Sequence, residues 1–164
     1  MAVHPIHLYP DKVLRKPNQS VSHLTAYHRK LINDLIETMH AQPGGIGIAA
    51  PQIGYSDRIA IVDVSSKEKG GAQLVLINPE IIEVSGEVFR REGCMSIPNF
   101  TANVKRSASI RIRWNDENFK ERELVAHGLQ AICIQHEIDH LNGLLFLDKV
   151  ASLAKDVFRR KRYL

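Results

Sequence analysis

At 164 residues the chain has the length of one compact domain, without room for a second separate core. Its 44% hydrophobic and 24% charged residues exclude wholesale disorder, and no apolar run approaches the ~18 residues of a membrane span. The formal charge of +4 is concentrated in residues 155–164, where five basic side chains face Asp156 alone and leave the rest of the chain balanced. Such a tail suits the last turn of a helix, where cations favour the macrodipole, before it suits an RNA or acidic-surface contact. Two cysteines are too few for a disulfide scaffold. The N-terminus lacks the apolar stretch of a secretory signal, so a reducing, cytoplasmic setting is expected, with no membrane and no DNA partner.

In chain order, residues 25–41 form the first predicted element. Leu24, Leu31, Leu35, Ile36 and Met39 recur at helical spacing, Thr25 stands at the N-cap, and Pro43-Gly44-Gly45 is the stop. The segment Gly45–Gln52 (GIGIAAPQ) lacks the Lys-Ser/Thr of a phosphate loop. Its small residues would leave a bare backbone edge for an extended peptide, with Gln52 as an amide donor, although a tight turn explains it as well. Short β-type runs follow at 58–64, 74–78, 80–84, 87–91, 102–105, 110–114 and 121–125, with a turn at Asn115–Asn118. Residues 127–142 are apolar on nearly every face, which marks a core helix, and Gly143 stops it. A last short helix is expected over about 151–162. The layout predicts an α+β fold, a single domain over 1–164. Antiparallel sheets pack around the central helix, and an N-terminal and a C-terminal helix flank it, with 155–164 as the basic helix end.

The central helix contains His136-Glu137-Ile138-Asp139-His140, an H-E-x-x-H pattern. Residues at i and i+4 share a helical face, so both imidazoles reach one cation while the glutamate sits beside it. Two histidines holding a metal and a carboxylate managing the proton of a water is hydrolase chemistry. Unpartnered imidazoles and a carboxylate inside an apolar helix would otherwise be costly. A third protein ligand is needed, and downstream there is no further histidine. The metzincin continuation is absent, and so is a glutamate of the thermolysin kind. Cys133 and Cys94 remain. Three ligands from one straight helix converge poorly, which favours Cys94 from a separate strand and leaves Cys133 to line a pocket.

Taken together, GIGIAAPQ at 45–52, EGCMS at 92–96 and QHEIDH at 135–140 resemble the three signature motifs of the peptide deformylase family, and Pro10–Arg15 resembles its opening. The resemblance covers almost the whole chain. It implies a metal-dependent hydrolase that removes the formyl group from formyl-methionyl nascent peptides and releases formate. By resemblance Cys94, His136 and His140 hold one divalent metal, usually Fe(II), with zinc, nickel or cobalt able to take the same place. Glu137 would serve as general base and then general acid. The Gln52 amide and the Met95 backbone N–H would donate to the formyl oxygen. Substrate would run along Gly45, Gly47 and Gly93, with its methionine against Ile46, Leu129, Ile132 and Cys133. Glu92 and Arg106 would pair to steady the cysteine loop. Thr101, Arg90 and Arg91 depart from the family pattern at the pocket rim. The basic terminal helix could dock on ribosomal RNA. The rival readings are a general H-E-x-x-H peptidase and a structural metal module that binds RNA.

Overall fold

The computed structural model describes residues 2–160. The N-terminal segment runs extended to a short 3-10 turn at Lys12–Arg15, capped by Asp11, whose carboxylate accepts from the Val13 N–H. Helix α1 (Ala26–Ala41) follows, with Thr25 at its N-cap and the Thr25 N–H donating to His28 Nδ1. Its buried stripe of Leu31, Ile32, Leu35 and Met39 matches the expected periodicity. The glycine-rich segment then becomes strand β1 (Gly47–Ala49) and a 3-10 turn, Ala50–Ile53.

Six further strands follow: β2 (Ile59–Val62), β3 (Leu74–Ser85), β4 (Val88–Cys94), β5 (Ile97–Arg106), β6 (Ser109–Asn115) and β7 (Glu121–His127), with the long loop 63–73 between β2 and β3 and short turns between the rest. The expected runs 74–78 and 80–84 are one strand, broken only by irregular register. At the break Asn78 adopts a left-handed backbone, and its amide side chain bonds the N–H and the carbonyl of Val21. An asparagine tolerates that conformation, which lets the strand bend without ending. The Asn115–Asn118 turn forms as expected, with Asp116 Oδ1 accepting from the Asn118 and Lys120 N–H groups.

Two antiparallel sheets result. One has the order β1-β2-β3-β6-β7, and the smaller joins β4 and β5 with a last strand, β8 (Val157–Arg159). Helix α2 (Gly128–Leu141) packs on the larger sheet, where Ala131, Cys133, Ile134, Ile138 and Leu141 meet Ala60, Val62, Leu76, Ile112 and Trp114. Beneath β4 and β5 lies a second cluster of Leu14, Ile97, Val104, Leu145 and Phe146. The sequence therefore places one apolar helix between two sheets, with its polar residues directed at the gap between them.

The expected C-terminal helix is a correction. Residues 151–156 are turns and bends, and Val157–Arg159 pairs antiparallel with β5, Phe100 opposite Arg159 and Ala102 opposite Val157. The open edge of β5 offers unpaired backbone groups, and the β-favouring Val157-Phe158 pair takes them. The Asn103 and Arg160 N–H groups extend the ladder to the Asp156 and Asn99 carbonyls, both at 2.8 Å. Residues 161–164, the rest of the basic tail, lie outside the described residues.

Candidate metal centre and active-site cleft

Helix α2 presents its polar residues because its ends and flank are fixed. Gln135 exchanges hydrogen bonds with the Ser107 backbone at 3.0 and 2.9 Å, pinning the helix to the β5–β6 turn. At the C-terminus Arg58 donates to the Leu141 carbonyl and to Asn142 Oδ1 at 3.3 and 2.9 Å, supplying charge where helix carbonyls lack partners. Gly143 then turns away with a positive φ, against the Arg15 carbonyl, where a Cβ would collide.

Cys94 ends β4, and His136 and His140 lie one turn apart on α2. Their ligand atoms all fall within 4.8 Å of one another, and Cys94 Sγ is 3.3 Å from His140 Nε2. Cys133 is no part of this group; its thiol points to the Ile46 carbonyl at 3.4 Å, and burial raises its pKa well above the usual thiol value. The open choice between the two cysteines thus resolves geometrically in favour of Cys94. The donor set fits a divalent cation. His136 Nδ1 is engaged by Glu92 Oε1 at 2.9 Å, which leaves Nε2 as its donor. Burial pushes the His140 pKa well down, which favours the neutral imidazole a metal requires.

Glu92 and Arg106 form the expected pair, bidentate at 2.8 and 2.9 Å and both buried. Burial alone would raise the Glu92 carboxyl, but Arg106 and His136 outweigh it and hold the value at about 2. Arg106 also reaches Asp139 at 2.6 Å, a partner the sequence did not suggest. One guanidinium therefore braces the β4 end of the site and the helix together.

Glu137 is 3% exposed, and its Oε1 has no hydrogen-bond partner among the described residues. Burial raises its carboxyl to about 7, against the opposing charge of His136 and with the help of Glu92. Gly47 packs over it so closely that a Cβ there would lie 2.5 Å from Glu137 Oε2 and 2.8 Å from Cys133 Sγ. Gln52 is fully buried, with Oε1 accepting from the Ala49 N–H at 3.0 Å and Nε2 donating to Ser96 Oγ at 3.1 Å. Its Nε2 lies 3.6 Å from Cys94 Sγ. The N-terminal segment fixes both sides of this corner, since the His7 and Tyr9 N–H groups donate to the Gln52 and Ser96 carbonyls at 2.8 Å.

A cavity of about 320 Å³ opens above these groups. Its lining includes every expected substrate-side residue: Gly45, Ile46, Gly47, Gly93, Leu129, Ile132 and Cys133, together with Met95 from the β4–β5 turn. Lys67 and Arg160 also line it, and neither was expected there.

A Cys/His/His triangle at the cleft floor, a buried unpaired glutamate and a cleft beside a bare strand edge have known counterparts. The sequence profile of the polypeptide deformylase family matches residues 3–156. The chain belongs to that family. A peptide deformylase from Thermodesulfovibrio yellowstonii is 45% identical over 161 residues, covering 98% of this chain and 97% of the relative. The crystal structure of a peptide deformylase from Legionella pneumophila matches with a TM-score of 0.86 and 39% identity, covering 93% of this chain and 88% of that one. One from Ehrlichia chaffeensis in complex with actinonin gives 0.88 and 37%, covering 94% and 92%. As a deformylase the chain is a metal-dependent hydrolase that removes the N-formyl group from formyl-methionine at the start of new polypeptides, releasing formate.

Proposed function

We propose that one deformylase domain over 1–164 performs this reaction with a single divalent metal, Fe(II) in the cell, held by Cys94, His136 and His140. Zinc, nickel or cobalt suit the same sulfur and nitrogen donors. The convergence of those three side chains, two of them buried, carries the reading. When bound, the metal supplies Lewis acidity, which makes a water nucleophilic near neutral pH.

The chain's own residues do the rest. Glu137, buried and without a partner for Oε1, takes a proton from the attacking water. It then delivers that proton to the departing amine nitrogen as the C–N bond breaks. The Gln52 side-chain amide and the Met95 backbone N–H donate to the formyl oxygen as it gathers negative charge. Gln52 is suited to this because its carbonyl is held by the Ala49 N–H, which aims the amide at the Cys94 side of the cleft. Substrate lies extended beside β1, an edge strand of the larger sheet, along the cleft that Gly45, Gly47 and Gly93 line. Its methionine side chain enters the apolar part of the cavity at Ile46, Leu129, Ile132 and Cys133. Glu92 and Arg106 position His136 rather than touch substrate.

Glu137→Gln separates this reading from a structural metal module. Protein purified without oxygen should carry one equivalent of iron in both forms, and the variant should lose about 10²–10⁴-fold in formate release from formyl-Met-Ala-Ser. Unchanged formate release, or cleavage of unformylated peptides instead, would overturn it.

A cytosolic site of action and a ribosome contact belong to the same reading. Support comes from the bacterial relatives, and no helix among the described residues is long and apolar enough to cross a membrane. The contact rests on no helix: exposed Lys155 precedes β8 and exposed Arg159 ends it, while Arg160 turns to the cleft. Reversing the charge of Lys155 and Arg159 should weaken co-sedimentation with ribosomes in a salt-dependent way. Equal sedimentation would remove the contact.

A further inference from the structure

Around the mouth of the cleft stands a set of charges that formyl hydrolysis does not use. Lys67, Arg90, Arg91 and Arg160 all line the cavity and are exposed. Among the described residues the carboxylates that line it are Glu92 and Glu137, both buried. Glu92 is committed to Arg106 and His136, and Glu137 packs beneath Gly47. The exposed charges that line the cavity are therefore of one sign, and the nearby Glu68 carboxylate, outside the lining, is turned to the Leu129 N–H. No ion pair with a carboxylate joins Lys67, Arg90 or Arg160 among the described residues, and Arg91 rests over the Phe158 ring at 3.8 Å.

Arg160 is the member with the most particular placement. It leaves β8 with its N–H on the Asn99 carbonyl, and its guanidinium reaches back across the small sheet to Gly93. A Cβ on Gly93 would collide with Arg160 Nη2. Gly93 immediately precedes the ligand Cys94, so this cation stands one residue from the metal centre at the exit of the cleft. An extended peptide advances about 3.3 Å per residue. With its formyl group at Cys94 and its methionine in the apolar pocket, its next two residues must cross this rim. Exposed cations grouped at the mouth of a low-dielectric cleft concentrate positive potential there, and an arginine fork binds carboxylates in a bidentate manner.

We propose that Lys67, Arg90, Arg91 and Arg160 form a substrate-selecting rim that favours formylated peptides with an aspartate or glutamate in the first two residues after methionine, with Arg160 at its centre. The inference rests on the deformylase reading and adds the substrate class. Because the rim is exposed, the preference is electrostatic and fades as the screening length falls from about 10 Å at 0.1 M salt to about 3 Å at 1 M.

The test measures formate release by the metal-loaded protein from C-terminally amidated formyl-Met-Asp-Ser, formyl-Met-Ala-Glu, formyl-Met-Ala-Ser and formyl-Met-Lys-Ser. At low salt the acidic peptides should exceed the lysine peptide about tenfold in kcat/KM, chiefly through KM, and the ratio should shrink toward one at 1 M salt. Arg160→Glu should reverse the ratio and Arg160→Lys should keep its direction. A ratio near one in the unaltered protein, or a ratio that Arg160→Glu leaves unchanged, overturns the inference while the deformylase reading stands. Absence of formate from all four peptides overturns both. Should Arg160→Glu fail to fold, Arg90→Glu makes the same reversal from β4, and an unmoved ratio there counts against the rim equally.

Discussion

On the floor of the cleft, Glu92, Arg106, Glu137 and His140 sit within a tenth of full exposure or less, whereas Lys67, Arg90, Arg91 and Arg160 on the rim stand in water. The two regions share one cavity and obey different electrostatics. Charges on the floor must be paired or must neutralise, because desolvation there costs several kcal/mol per ion. Arg106 accordingly serves two carboxylates, and Glu92 in turn serves a histidine. On the rim, water screens each charge and no partner is required. A change on the floor should therefore propagate to the metal and to the fold, while one on the rim should stay local.

Arg106→Ala is the larger of two ways to test that difference. It leaves Glu92 buried without its cation and takes from the partly buried Asp139 its nearer one, which costs about 3–5 kcal/mol of stability. His136 loses its orienting carboxylate as Glu92 relaxes, and metal affinity should fall about 10–100-fold. Denaturant unfolding and metal titration on the same protein check both numbers. Full metal occupancy with unchanged unfolding would mean that the floor is not a single network, and that the contrast with the rim is one of exposure only.

The difference between floor and rim also explains what the sequence disclosed. His136 and His140 are legible because the helix repeat puts i and i+4 on one face, and a polar face on an apolar helix demands a reason. Cys94 followed from ligand counting and Glu92–Arg106 from family resemblance, and the fold brings all five together. Asp139 was hidden within the motif itself, read as spacing between the histidines although it takes the other side of Arg106. Arg58, which closes the C-terminus of α2, comes from the bend before β2, far away in sequence, and no local pattern announces it. The tail departs from the expected helix for a related reason. Basic residues after an apolar run look like a helix end, and nothing in 151–160 reveals that β5 leaves an edge open. Edge pairing is a property of the sheet, so Val157–Arg159 became a strand and carried Arg160 to the cleft.

Arg91→Ala probes the other side of the contrast with a smaller effect. The Arg91 guanidinium lies 3.8 Å above the Phe158 ring, and this contact ties β4 to β8 across the intervening β5. An exposed cation–π contact contributes about 0.5–1 kcal/mol. For a chain of this size that corresponds to a fall of roughly 1–4 °C in Tm. Because β8 has only three residues and a single partner strand, the loss should appear there first, as faster hydrogen exchange at the Phe158 and Arg160 amides, which face β5 in the alternating ladder. The amides of α2 pack on the other sheet and should keep their protection. If α2 exchanged faster in step with β8, the rim would be mechanically coupled to the floor, and the Arg160-bearing strand would have to be counted as part of the metal centre's support.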